Sequence, residues 1–385
     1  VTATVTRAIP ATDVECARIL GDAARDHRTV RIVGSGTKSY IGDTAATDIE
    51  LSTERLAGVV DHVPADLTVT VRAGTRVADL AAALARAGQF LPLDPPHANE
   101  ATIGGVIAAN SNGFWRSRYG GVRDLLIGTR TALADGTVAR AGGRVVKNVA
   151  GYDLDKLLVG SFGTLGVIVE ATLKVLPVPA ASDGVLGSFR RSADAFAAAH
   201  AIVRAASRAE ACVVEWHEAV WSLAVQARGS GPAVKRAIDD ARREVAARGA
   251  EISELGDSLN DMRELPARAT DGALVRIALP LAASAPFAET AARLETLASL
   301  VTDAASGITR AYLIGVDDAV VRDAGALVLA ARAVDGVARI ERRADHLRTR
   351  LATWPTPPDG DFLMRRIKDA FDPAGILEPG RTAFG

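Results

Sequence analysis

The sequence predicts an α+β protein of two parts, and three observations carry that prediction. β-branched runs ending in glycine turns fill the first part, a Pro177-Val178-Pro179 exit closes it, and the remainder alternates strand-like runs with alanine-rich helices. At 385 residues the chain has room for two or three domains, and 48% hydrophobic with 24% charged residues is ordinary for a globular protein. A formal net charge of −1 gives no reason to expect nucleic acid or an acidic membrane surface as partner. Cys16 and Cys212 stand apart without C-x-x-C spacing, so neither an iron–sulfur cluster nor a disulfide framework is encoded, and a reducing, cytoplasmic setting fits. Val1–Pro10 lacks the apolar core of a secretory signal, and no window reaches the roughly 18 apolar residues of a membrane span. Membrane contact is expected only through a partner.

Taken in order, Ala11–Asp26 places Val14, Cys16, Ala17, Ile19 and Leu20 at helical spacing behind Thr12 or Asp13 as cap. Ile49–Ser52 and Gly58–Val63 are short strands, Leu67–Gly74 alternates as a strand, and Val77–Ala87 is a helix closed by Gly88. Beyond residue 179, strands are expected at Gly184–Phe189, twice within Ala211–Ala227 around a joint near Ala219, and at Glu251–Leu255, Ala273–Leu279, Thr309–Gly315 and Gly336–Arg342. Helices are expected at Ala193–Ala206, Pro232–Gly249, Phe287–Leu300 and Asp318–Ala333. Two rounds of β-α-β point to an antiparallel sheet backed by helices.

Two glycine segments suggest a ligand site. In Val30–Ser39 a β-type run enters a tight loop with Gly34, Gly36, the hydroxyls of Ser35, Thr37 and Ser39, and Lys38. Such a loop can turn several N–H groups toward a diphosphate. In Thr102-Ile103-Gly104-Gly105 the glycines remove side chains on either side of a bend, and Asn110, Ser111, Asn112 and Gly113 extend the turn-prone surface. Gly160, Gly163 and Gly166 lead into the strand-like Val167-Ile168-Val169, where a ligand would be read mostly by main chain. A single glycine pair is more often turn punctuation, by roughly two to one; here two segments occur together. A Walker A loop fails because Thr37 precedes Lys38-Ser39 where glycine is needed, and a Rossmann fingerprint fails because its third glycine position falls on Ser39.

Further stretches carry a family likeness: Leu91-Pro92-Leu93-Asp94-Pro95-Pro96-His97, Gly121-Val122-Arg123-Asp124, Leu126-Ile127-Gly128-Thr129-Arg130, Lys147-Asn148-Val149-Ala150-Gly151-Tyr152-Asp153-Leu154 and Phe371–Arg381. With these, Arg31–Pro179 and the C-terminal residues resemble the PCMH-type FAD-binding domain of the vanillyl-alcohol oxidase superfamily, and within it the GlcE-type FAD-binding subunits of bacterial glycolate oxidase. The resemblance implies a two-lobed PCMH-type FAD-binding domain over residues 1–179, an α/β cap domain with antiparallel sheet over 180–345, and a segment over 346–385 that returns to the FAD domain. It implies FAD held non-covalently, because the attaching histidine or cysteine of that superfamily is absent from the matching positions. Carried over residue by residue, cofactor contacts fall on Gly34, Ser35, Gly36, Thr37, Lys38, Ser39, Pro95, Pro96, His97, Thr102, Ile103, Gly104, Gly105, Ala108, Asn110, Arg123, Asp124, Gly163, Gly166, Val167 and Ile168.

The activity implied is oxidation of a small 2-hydroxy acid, glycolate or D-lactate, within a complex containing a GlcD-like FAD subunit and a GlcF-like iron–sulfur subunit, peripheral to the membrane through them. Alternatives are a non-catalytic electron-transfer or assembly subunit and a stand-alone FAD-dependent alcohol or sugar oxidase. No catalytic residue is fixed; the candidates are His97, Arg123 and Arg381. His97 serves equally well as a hydrogen-bonding turn residue. Most arginines are solvated surface groups, which leaves Arg116, Arg118 and Arg130 without a role, but Arg123 is motif-matched and Asp124 is placed to hold its guanidinium. Lys147 and Asn148 match the family motif too. Glu378 stands where the family's terminal motif carries asparagine. The six histidines lack metal-ligand spacing, and the His- and Glu-bound metal of related 2-hydroxy-acid dehydrogenases has no match, so no metal is expected.

Overall fold

The computed structural model describes residues 5–43, 45–143, 152–205, 209–355 and 359–383. Contacts divide the chain into two units: Val1–Asn112, Gly120–Val178 and Pro357–Gly385 form the first, Gly113–Tyr119 and Pro179–Thr356 the second.

The chain begins with β1 (Thr6–Ala8), α1 (Asp13–Arg25), β2 (Val30–Val33), β3 (Ile49–Ser52), β4 (Val59–Val63), β5 (Thr68–Arg72), α2 (Val77–Ala85), β6 (Gln89–Phe90) and α3 (Ile103–Ala109). After α4 (Arg116–Tyr119), which belongs to the second unit, come α5 (Val122–Leu125), β7 (Leu126–Ala132), β8 (Val138–Gly142), β9 (Val167–Lys174) and β10 (Leu176–Pro177). Thr12 caps α1, its hydroxyl accepting from the Glu15 amide at 3.1 Å, and Cys16, Ala17, Leu20 and Ala23 form the buried stripe.

Three strands pair in parallel in the order β1-β3-β2, five antiparallel as β4-β5-β9-β7-β8, and β6 pairs with β10. The strand β9 is apolar on both sides because it separates two cores. Val167 and Val169 enter one with α1 and the parallel strands; Ile168, Ala171 and Leu173 enter the other with α2 and α3.

The second unit continues with β11 (Ala181–Phe189), α6 (Ser192–Arg204), β12 (Ala211–His217), β13 (Val220–Gly229), α7 (Gly231–Ala246), β14 (Glu251–Ser253), α8 (Ser258–Arg263), α9 (Leu265–Arg268) and β15 (Ala273–Ala278). It closes with α10 (Ser284–Ala291), β16 (Leu297–Asp303), β17 (Ile308–Leu313), α11 (Asp317–Arg332) and β18 (Val337–Arg343). Its eight strands form one antiparallel sheet in the order β14-β11-β13-β12-β16-β17-β15-β18. Each half of that order is a β-α-β-β-α-β unit, and the second strands of the two halves, β12 and β16, pair at the centre. Residues of α6, α7, α10 and α11 share one core with Val185, Val214, Leu223, Val275 and Leu300 of the strands. A smaller core unites Phe114, from the excursion Gly113–Tyr119, with Val213, Ala224, Leu274 and Val301. The last helix, α12 (Asp361–Phe371), returns to the first unit, where Lys368 donates to the carbonyls of Thr164 and Leu377 at 3.0 and 2.9 Å and to the Asp372 carboxylate.

Three expectations need correction. The helix expected over Phe287–Leu300 ends at Ala291, and Leu297 begins β16, because pairing with β12 and β17 at the middle of the sheet overrides the helical preference of an Ala- and Leu-rich run. The bend at Thr102–Gly105 is the first turn of α3, with the Thr102 hydroxyl accepting from the Gly105 amide at 3.4 Å. The polar stretch around Asn112 also hides a change of unit, since Phe114 anchors in the second unit's core while Asn112 stays with the first.

Candidate functional site

Strand β2 delivers the chain into Gly34–Ser39, and that loop forms one wall of an open cleft. The remaining walls come from Thr53 past β3, Ala73 past β5, the start of α3, the turn Phe162–Gly166 and Arg381. Close approach of these walls depends on absent side chains. A Cβ at Gly34 would lie 2.3 Å from the Thr102 hydroxyl, and one at Gly104 would lie 2.8 Å from the Ala73 Cβ and 3.1 Å from its carbonyl oxygen. Gly36 needs its glycine for conformation, at φ +78°.

Within the loop the Ser39 amide donates to the Gly36 carbonyl at 3.0 Å, which closes a turn. The amides of Ser35, Gly36 and Thr37 have no backbone acceptor among the described residues. Such consecutive donors in a glycine turn form a concavity for anionic oxygen. The loop's two cationic neighbours are engaged with carbonyls: Lys38 Nζ donates to Pro96 O at 3.0 Å, and the Arg381 guanidinium donates to Lys38 O at 3.1 Å and Ser39 O at 3.3 Å. They hold the loop's shape. Beneath it Glu378 Oε1 accepts from the Ile32 amide at 2.6 Å, and its Oε2 lies 3.8 Å from Arg381 Nε. Burial pushes the Glu378 carboxyl above its ordinary pKa, against the pull of Arg381 and the Ile32 amide. Its φ is +48°, a left-handed conformation in which asparagine is the commoner non-glycine residue.

Of the residues singled out from the sequence, Gly34, Ser35, Gly36, Thr37, Lys38, Ser39, Thr102, Gly104, Gly105, Ala108, Gly163, Gly166 and Ile168 line this cleft. Pro95, Pro96, His97, Ile103, Asn110, Arg123, Asp124 and Val167 do not. Ile103 and Val167 are core residues, and Asn110 ends α3 at φ +48°. His97 sits in a turn at φ +59°, its carbonyl accepting from Glu100 and Ala101, and Pro96 stands behind Lys38. Asp124 does not hold Arg123: its carboxylate accepts from the Gly121 amide at 2.8 Å, while Arg123 is exposed and donates to Lys156 O at 3.3 Å. Lys147 and Asn148 lie outside the described residues. Arg381, a candidate catalytic group from the sequence, lines the cleft as a clamp on the loop. Ile32, Val33, Thr53, Ala73, Ala109 and Phe162 also line it. Ile32 and Val33 merely continue the strand that feeds the loop, but Thr53 and Ala73 follow strands distant in sequence and carry no local signal.

Consecutive amides without a backbone acceptor among the described residues and a path cleared of Cβ atoms are what a dinucleotide's diphosphate requires, so the residues present fit such a ligand. Residues 6–142 match the FAD binding domain family. The chain is 44% identical over 164 residues to glycolate oxidase subunit GlcE of Escherichia coli (strain K12), covering 42% of this chain and 47% of that one. It is 41% identical over 169 residues to glycolate oxidase subunit GlcD of Bacillus subtilis (strain 168), covering 43% and 35%. Against a D-lactate dehydrogenase of Archaeoglobus fulgidus it is 37% identical over 171 residues, covering 44% and 38%. The chain thus spans less than half the length of these curated relatives. In fold it is similar to an alkyldihydroxyacetonephosphate synthase, with a TM-score of 0.73 at 16% identity over 97% of this chain and 75% of that one. Residues 6–142 thus match an FAD-binding domain, which indicates FAD as the cofactor, and the likeness to glycolate oxidase subunits drawn from the sequence holds over the matched segment.

Proposed function

Proceeding from an FAD-binding domain of this type, we propose that the chain is the FAD-holding subunit of a glycolate oxidase- or dehydrogenase-type complex acting on a small 2-hydroxy acid, glycolate or D-lactate. The observation that carries this reading is the 44% identity to a chain named as a glycolate oxidase subunit, joined to a cleft whose donors suit a diphosphate. The amides of Ser35, Gly36 and Thr37 would hold the diphosphate, Gly104, Gly105, Gly163 and Gly166 would keep its path clear, and Lys38 and Arg381 would fix the loop. When bound, the flavin supplies a hydride acceptor. The chain's contribution is to bind and orient it non-covalently. Partners in this reading are a GlcD-like FAD subunit and a GlcF-like iron–sulfur subunit, through which the complex meets the inner face of the membrane. Among the described residues no helix is long and apolar enough to cross a membrane.

Substrate oxidation on this chain and relay of electrons from a homologous partner are separated by one measurement. The purified protein is expected to be yellow, to release all its flavin on acid precipitation, and to be bleached slowly by glycolate or D-lactate in stopped flow until its partners are added. Colourless protein that takes up no FAD would overturn the cofactor reading. Rapid, saturable bleaching of the lone chain at the rate of turnover would show instead that it is a complete dehydrogenase.

A further inference from the structure

The second unit concentrates buried charge on the sheet face opposite its helices. Ala273, Val275 and Ile277 of β15 enter the core shared with the helices, so Leu274 and Arg276 point to the other face. On that face Arg276 stands directly opposite Arg310 of β17 on one side and Arg339 of β18 on the other. Three guanidinium stems thus share one row across adjacent strands about 5 Å apart, an arrangement in which like charges repel. Arg116 of α4 adds a fourth positive charge nearby.

The nearby acids Glu341 and Asp303 make no hydrogen bond or ion pair with Arg276 among the described residues. Glu341, only 4% exposed, accepts from Arg310 through both oxygens at 2.7 and 3.3 Å and lies 3.8 Å from Arg339. Burial alone would raise its pKa, but the charges of Arg310 and Arg339 outweigh burial and hold it at about 2. Asp303, the acid on β16, is taken up by its own turn, accepting from Ser306 Oγ and from the Ala305 amide at 3.0 Å. Arg276 makes no hydrogen bond or ion pair among the described residues, although it is half-buried. Burial, and then the charge of Arg339, bring its pKa down to about 9 despite Glu341. A guanidinium left in that condition is costly unless something completes it.

We propose that Arg276, flanked by Arg310 and Arg339, seats a small carboxylate anion on this sheet face. The pairing already present in the row identifies the ligand's chemistry: Glu341 meets Arg310 in a two-pronged contact, and a second carboxylate would do for Arg276 what Glu341 does for Arg310. A planar fork suits a planar carboxylate, which sets this site apart from the amide-lined loop of the first unit. The site itself follows from the second unit alone; only the choice of a 2-hydroxy or 2-oxo acid as its natural occupant rests on the function proposed above.

The test is calorimetric titration and thermal denaturation of the full-length, FAD-loaded chain with glycolate, glyoxylate and acetate, against inorganic phosphate at equal ionic strength. The carboxylates are expected to bind saturably at one site and to raise Tm, while phosphate does neither. Arg276→Gln should weaken carboxylate binding at least about tenfold, the scale of one charge-assisted hydrogen bond, with flavin content unchanged. Arg276→Lys, which keeps the charge and loses the fork, should weaken it as well. Without ligand, Arg276→Gln should leave Tm unchanged or higher, since it relieves a like-charge row. Equal response to phosphate and carboxylate, binding unaffected by either variant, or no titration by any carboxylate would overturn the site. A ligand-free Tm that falls in Arg276→Gln would do the same, because it would show that protein groups already complete Arg276. None of these readings depends on flavin reduction, so a chain that binds carboxylate without being bleached by it leaves the site standing.

Discussion

The two units handle anionic chemistry by opposite means. In the first, the cleft is walled by glycines, small residues and amides, and its cations, Lys38 and Arg381, are turned onto carbonyls to shape the loop. In the second, a row of arginines crosses three strands with one buried glutamate between them. A main-chain site fails when a Cβ is added and tolerates the loss of side chains; a side-chain site behaves the other way round. That contrast can be tested at single positions, and the sizes of the effects differ.

The largest effect on cofactor binding is expected at Gly104. A branched side chain there would have to enter space held by the Ala73 Cβ and carbonyl, at 2.8 and 3.1 Å, so α3 could not keep its place against the end of β5. Backbone cannot yield as a flexible side chain can. Gly104→Val should purify with less than about a tenth of the wild-type flavin per polypeptide, a loss of roughly 1.4 kcal/mol or more in cofactor binding. Gly36→Val should act differently, because an added Cβ has room at 3.5 Å from Ser39 Oγ and only the φ of +78° opposes it. By contrast, Ser35→Ala should retain its flavin. If absorbance shows Ser35→Ala emptied and Gly104→Val filled, the cleft is held by side chains after all.

In the second unit the corresponding change is Glu341→Gln, which leaves Arg310 and Arg339 without their buried counter-charge. Removing one partner of a buried pair costs about 3–5 kcal/mol. The sign with pH follows from the depressed pKa. A carboxyl held at about 2 when folded and titrating at 4.5 otherwise contributes stability that is full above 4.5 and is lost as pH falls toward 2. Urea midpoints of the wild type should therefore drop across that range more steeply than those of Glu341→Gln. Parallel pH profiles would mean that Glu341 carries no such charge and that the arginine row is balanced by other means.

The same contrast explains what the sequence made legible. Glycine positions and the strands that feed them are local features, so Gly34–Ser39, Gly163 and Gly166 could be placed at a ligand before any fold was known, and they line the cleft. Arg276, Arg310 and Arg339 are scattered, and each by itself resembles a solvated arginine; only strand register brings them into one row. Register also turned Leu297–Leu300 from an expected helix into β16, since its partners β12 and β17 are remote in sequence. The error at Asp124 has a different origin. Adjacency to Arg123 suggested a pair, but an acid at the third position of the short α5 caps the Gly121 amide instead.

The smallest effect, and the finest test of the contrast, lies at Glu378, an acid buried under a loop otherwise shaped by main chain. Its Oε1 accepts from the Ile32 amide at 2.6 Å, a role the carbonyl oxygen of glutamine fills equally well, and its nearest cation, Arg381, is 3.8 Å away and already donates to two carbonyls. Burial raises the carboxyl's pKa in the fold, so the folded protein holds that proton more tightly than the unfolded chain. The ionised form then costs stability above the folded pKa, and the cost disappears below 4.5, where both states are protonated. Glu378→Gln should therefore raise Tm at pH 8, by an amount worth less than about 1 kcal/mol, the scale of one net hydrogen bond. The gain should vanish as the pH is lowered to 4. A fall in Tm at pH 8 would mean that the Glu378–Arg381 charge pair outweighs burial, and that the first unit, too, relies on side-chain charge to hold its site.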